Sequence, residues 1–165
     1  MRFPKIFVCL VICAAALVSG CSGYAPSAKL YGQNKAFVTQ ALGQPERENW
    51  VEGKLQLHFP RGPYGSQTYF VYLDADDRVT GWEQVLIEEK FHLINAGMTK
   101  EQVIGLIGIS RITQGLARER GYVWHYRYFN QQCKSFVVEF SKEDIVRSAG
   151  YITRGGKKCK FVGIG

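Results

Sequence analysis

The chain has 165 residues, 46% of them hydrophobic, five cysteines and a formal net charge of +7. Two of its cations, Arg2 and Lys5, sit at the extreme N terminus, and the rest form no long Lys/Arg block. The basicity is therefore mild, which argues against nucleic acid as a partner and leaves only weak attraction to anionic headgroups, about 1 kcal/mol per nearby cation at best.

Arg2 and Lys5 precede an apolar run over residues 6–18 that is too short to span a bilayer, which takes about 20 residues. A basic start, a short apolar core and small residues after it make a secretory signal. The run ends Leu17-Val18-Ser19-Gly20-Cys21, which resembles the bacterial lipobox. On that resemblance residues 1–20 are a signal and Cys21 is the acylated first residue of the mature chain, anchored by fatty chains without spanning the membrane. Ser22 after the Cys, by analogy with lipoprotein sorting in Gram-negative bacteria, implies the periplasmic face of the outer membrane.

Removal of the signal leaves ~145 residues, enough for one ordinary domain or two small fused units. Residues 21–30, with Pro26 and several small residues, read as a lipidated tether. A helix follows from about Asn34 to Leu42, and Gly43-Gln44-Pro45 breaks it. Residues 46–53 read as a polar connection. Residues 54–59 alternate apolar and polar, as a half-buried strand does. Residues 60–66, rich in Pro and Gly, are expected to be a hairpin loop, with further strands at 68–73 and 78–87. The Asp cluster 74–77 lacks the Gly and bidentate Glu of a calcium loop and reads as a turn.

Residues 88–94 are expected to form a short helix that buries Phe91, Leu93 and Ile94. Thr99 and Gln102 then form a capping box, and Val103, Ile104 and Ile107 make one apolar stripe that Gly108 ends. A polar loop over 110–120 leads to a second set of strands.

That second set repeats the first. Gly32, Lys35, Val38 and Gly43 fall on Gly97, Lys100, Val103 and Gly108 at an offset of 65, and Leu57-His58-Phe59 falls on Trp124-His125-Tyr126 at an offset of 67. The two extra residues are confined to the connection between helix and strand, as a duplication requires. The repeat predicts that His58 and His125 both point away from the core, to the surface.

The Gly97-Met98-Thr99 helix start, Leu42-Gly43-Gln44-Pro45 stop and Trp124-x-Tyr126 strand resemble the BamE (SmpA/OmlA) domain of outer-membrane lipoproteins, in two tandem copies at 31–95 and 96–165. Ser110, where Pro is usual, departs from that pattern. The resemblance implies an α+β fold in which each unit packs a helix pair on a three-stranded antiparallel sheet. It also implies an accessory or scaffold role in assembling β-barrel outer-membrane proteins, with components of that machinery as partners. Tandem helix–sheet units resemble the β-lactamase inhibitor proteins as well, which implies the alternative of a periplasmic protein-binding or enzyme-inhibitor module.

An enzyme is not expected, because no nucleophile–base spacing, zinc-protease motif or phosphate loop occurs. Neither a metal nor another cofactor is expected, since the three histidines lie far apart and no Cys-x-x-Cys is present. With Cys9 and Cys13 in the signal and Cys21 acylated, Cys133 and Cys159 remain as a disulfide pair for an oxidising compartment. Arg61, Tyr64 and Phe129, in loops, are the candidates for partner contact, since Arg and aromatics dominate interface energetics. The alternative for them is to fix the hairpins. The basic tail 154–160 either meets lipid headgroups or is a solvated end.

Overall fold

The structure, a computed structural model, describes residues 23–153 apart from 119 and 131. The expected signal, Cys21, Cys159 and the basic tail lie outside the described residues. Three α-helices occur there, α1 (Lys35–Leu42), α2 (Glu88–Phe91) and α3 (Lys100–Ile107). The eight strands are β1 (Arg47–Val51), β2 (Lys54–Arg61), β3 (Gln67–Leu73), β4 (Val79–Gln84), β5 (Thr113–Leu116), β6 (Gly121–Arg127), β7 (Lys134–Ser141) and β8 (Val146–Thr153). They form two four-stranded antiparallel sheets in simple meander order, β1-β2-β3-β4 and β5-β6-β7-β8.

This corrects the expected helix pair on a three-stranded sheet: the chain is mostly β, and each sheet carries an extra edge strand. The extra strands are β1 and β5, where polar connections were expected. Both run along one partner only, and β1 (Arg-Glu-Asn-Trp-Val) buries no side chain fully. An edge strand of that kind carries no alternating apolar signal.

The two sheets repeat in register. Leu57 pairs with Val71 and Trp124 with Val138, each member displaced by 67. The irregularity between Tyr72 and Leu73 returns between Glu139 and Phe140. Arg47 pairs with His58, and His125 N–H donates to Ile112 O, so β1 and the chain leading into β5 correspond at 65. The two-residue difference therefore sits in the first hairpin: two residues separate Val51 from Lys54 in sheet 1, and four separate Leu116 from Gly121 in sheet 2. The loops after β3 and β7 also match. Asp74 Oδ1 accepts from the Asp76 and Arg78 amides, and Ser141 Oγ accepts from the Glu143 and Ile145 amides. The Asp cluster is thus a turn, and Ser does the same work in the second copy.

Helix ends follow the sequence closely. Asn34 caps α1 by accepting from the Phe37 amide at 2.9 Å, and Thr99 and Gln102 close a reciprocal capping box on α3. Gly43 (φ 87°) and Gly108 (φ 78°) end the two helices in a conformation open essentially to glycine alone. Pro60 lies inside β2 rather than in a loop. It is tolerated because β1 stops opposite His58 and leaves no partner there for a missing amide.

One core joins α1 to the inner face of sheet 1 through Leu30, Val38, Leu57, Phe59, Val71 and Leu73. Pro26 and Leu30 are buried, so this end of the expected tether is docked on the domain. The larger core places Val103, Ile104 and Ile107 of α3 against Trp124, Tyr126, Val138 and Phe140 of sheet 2. It also takes in Phe70 from the opposite face of sheet 1. Gln56 Nε2 reaches Gly105 O at 3.4 Å, and Arg47 pairs with Glu101. Helix α3 is thus enclosed between both sheets, which gives the order α1, sheet 1, α3, sheet 2.

His58 is the main casualty of that enclosure. It points away from the α1 core as expected, but it is buried, not at the surface, with 1% of its area accessible. Its ring stacks on Phe70 at 3.8 Å and its Nε2 contacts Gln56 Oε1 at 2.7 Å. Nδ1 has no hydrogen-bond partner. Burial, and secondarily the charge of Arg47, lowers its pKa to about 4, so the ring is neutral. Leu93 also departs from expectation: it is exposed, while Phe91 and Ile94 are buried.

Candidate protein-binding surface

The β2–β3 connection is built on glycine. Gly62 (φ 71°) and Gly65 (φ 70°) flank Pro63-Tyr64, and Tyr64 itself is held at φ 58°. The Gly65 amide donates to Gly62 O at 3.2 Å, and Thr68 Oγ1 donates to Gly65 O at 3.1 Å. This tight turn presents the Tyr64 ring outward, 59% exposed. The Arg127 guanidinium lies 3.9 Å from the ring centroid, a cation–π contact worth roughly 0.5–1 kcal/mol where exposed. Arg127 ends β6 beyond the reach of β5, which pairs only as far as Trp124.

Phe129 follows two residues later in the β6–β7 loop and is 66% exposed. Asn130 organises that loop, donating to Tyr128 O and Lys134 O at 3.0 and 2.9 Å and accepting from the Lys134 amide at 2.8 Å. Cys133 (φ 55°) closes it and is disulfide-bonded. Every other cysteine of the chain, Cys159 included, lies outside the described residues.

Arg61 has a different role from Tyr64. Its guanidinium donates to Leu42 O at 3.1 Å, satisfying a carbonyl at the end of α1. It lines an open groove of about 430 Å³ with Tyr24, Gln44, Glu46, Pro60 and Arg111. Across that groove Arg111 pairs with Glu46 at 3.0 Å, tying the start of sheet 2 to sheet 1. The fold therefore joins Tyr64 to Arg127, a residue the sequence reading passed over, and leaves Arg61 in a structural position. A basic residue inside the aromatic run Tyr126-Arg127-Tyr128-Phe129 was the signal for it. Trp50, 64% exposed on β1, was also passed over; it sits at the far end of β2 from Tyr64, beside Leu55.

Among the described residues, no group of three or more His, Cys, Asp or Glu side chains is placed to hold a metal ion, and no helix is long and apolar enough to cross a membrane. No family model and no curated protein matches the chain. Solved structures similar to it include an extracellular protein containing an SCP domain from Bacillus anthracis, at 12% identity and a TM-score of 0.31 over 79% of this chain and 46% of that one. Another is a cysteine-rich secretory protein from Staphylococcus aureus, at 12% identity and a TM-score of 0.28 over 76% and 45% of the two chains. A third is a DUF4309 family protein from Bacillus subtilis, at 10% identity and a TM-score of 0.31 over 80% and 86%. The chain spans under half the length of the first two. None of the three is a BamE protein, and likeness at this level carries no function across.

Proposed function

We propose that this chain is a non-catalytic lipoprotein of the outer membrane, held on the periplasmic face by acylated Cys21, that works by binding other envelope proteins. Its contact surface is the end of the molecule bearing Tyr64, Arg127 and Phe129. The observation that carries the reading is the exposed Tyr64 ring held over Arg127 on a rigid glycine turn. Aromatic and Arg side chains fixed before binding lose little entropy on contact. The partner class is the machinery that assembles β-barrel outer-membrane proteins, in keeping with the BamE-like sequence pattern; a soluble periplasmic enzyme, held as by an inhibitor, is the second reading.

Photo-crosslinking residues placed at Tyr64 and Phe129 of the full chain, in intact envelopes, test this. Crosslinks to barrel-assembly components at both sites, and not at Trp50, are expected. Equal yield at Trp50, or no protein partner at either site, refutes the surface, and capture of a soluble enzyme selects the second reading. Cys21→Ser is expected to move the chain from the membrane to the soluble fraction; unchanged membrane fractionation refutes the anchor.

A further inference from the structure

The joint between the two halves of the chain is made from two surfaces, each of which has a counterpart in the other half. On one side is the outer face of sheet 1, with Gln56, His58, Thr68 and Phe70 all buried. On the other is the outward side of α3. Glu101 meets Arg47, Gly105 O meets Gln56, and a Cβ added at Gly108 would lie 3.2 Å from Thr68 and 3.6 Å from Phe70. The repeat offsets carry each surface onto its counterpart. Gln56, His58, Thr68 and Phe70 become Val123, His125, Ser135 and Val137 on sheet 2, while Glu101, Gly105 and Gly108 become Ala36, Gln40 and Gly43 on α1.

Both counterparts are more open, although Ser135 is itself buried at 2%. Val123, His125 and Val137 are only half-buried, and Ile152 on the same face is exposed. Ala36, Phe37, Gln40 and Ala41 are all exposed on α1, and a Cβ at Gly43 would meet nothing within 4 Å, where Gly108 has Phe70. The exchange of residues also favours contact between chains. The Arg47–Glu101 ion pair of the internal joint becomes Ile112 against Ala36, and Gln56 becomes Val123. A transferred joint would thus bury apolar groups where the internal one holds an ion pair, while Glu139, opposite Val123 on the same face, is paired with Arg147 at 3.6 Å.

We propose that the outer face of sheet 2 docks on the outward side of α1 of a second copy, repeating between chains the joint that sheet 1 and α3 make within one. The two surfaces differ, so the contact is head-to-tail and leaves one free surface of each kind, and copies add in a row. The inference does not rest on the reading of the Tyr64 surface.

Two differently tagged full chains, one carrying Gln40→Cys and the other Val123→Cys, test the pairing in the envelope under mild oxidation. A linked heterodimer is expected at several-fold the yield of either same-site pair or of the chain without added cysteines. In sedimentation of the purified full chain, Ala41→Arg and Val137→Arg are each expected to weaken association at least ten-fold. An equimolar mixture of the two is expected to recover dimers, because each variant retains one intact surface. Thermal unfolding of each variant alone establishes that it is folded. Absence of the Gln40–Val123 link, dominance of a Val123–Val123 link, or failure of the mixture to recover dimers overturns the proposal.

Discussion

The outer faces of the two sheets start from one pattern and end in different environments. In sheet 1 that face holds Gln56, His58 and Phe70 beneath α3, all buried. In sheet 2 it holds Val123, His125 and Val137, all partly open to water. The strand register that orients them is identical, with a common displacement of 67. What separates the two faces is therefore the element lying on top, and covering a face changes what its residues contribute to stability.

The largest expected effect lies at Phe70 and Val137, which are repeat partners. Phe70→Ala removes a fully buried ring between sheet 1 and α3 and is expected to cost about 3–5 kcal/mol. Val137→Ala is expected to cost ~1 kcal/mol or less. Denaturant unfolding of both variants checks this, and equal losses would mean that sheet 2 is covered as fully as sheet 1.

Next comes acid. The folded-state pKa of His58 is lowered from 6.5 to about 4, so below pH 6.5 the unfolded chain takes up a proton that the folded chain refuses. Stability from this group is complete above pH 6.5 and falls as the pH drops toward 4, by roughly 3 kcal/mol in all. His58→Phe is expected to flatten that limb of the stability–pH curve. An unaltered acid limb in His58→Phe would place the titrating group elsewhere.

The face-up assignment of His58 was legible from the repeat, but its burial was not. Alternation in β2 tells which side chains turn away from α1; it carries no information about an element some forty residues later that closes over them. The capping box at Thr99 and the glycine stops were legible because their partners lie within a few residues. Edge strands β1 and β5 were not, since polar residues that satisfy only one neighbour look like loop. For the candidate site, loop glycines and an exposed Tyr64 could be read locally. The stacking of Arg127 on that ring joins residues 63 positions apart and needed the fold.

The smallest expected effect is at the helix stops. Gly43→Ala and Gly108→Ala both force a side chain into a backbone region suited to glycine, at about 1–3 kcal/mol. Gly108→Ala additionally presses on the Thr68 methyl at 3.2 Å, with Phe70 at ordinary contact distance, whereas Gly43→Ala meets open space. Thermal or denaturant unfolding is expected to rank Gly108→Ala the more damaging by about 1 kcal/mol. The reverse order would mean that α3 does not sit against sheet 1 as described.

The enclosure of α3 also imposes an order in time on a chain that emerges N terminus first. Sheet 1 is complete at Gln84, yet Phe70 and His58 stay wet until residues 100–108 arrive to close over them. A chain stopped before residue 99 is expected to show amide exchange in β2 and β3 well above that of the same strands in the full protein. The second copy is thus the one that finishes the first, and the pair is expected to unfold as a single cooperative unit despite its duplicated pattern.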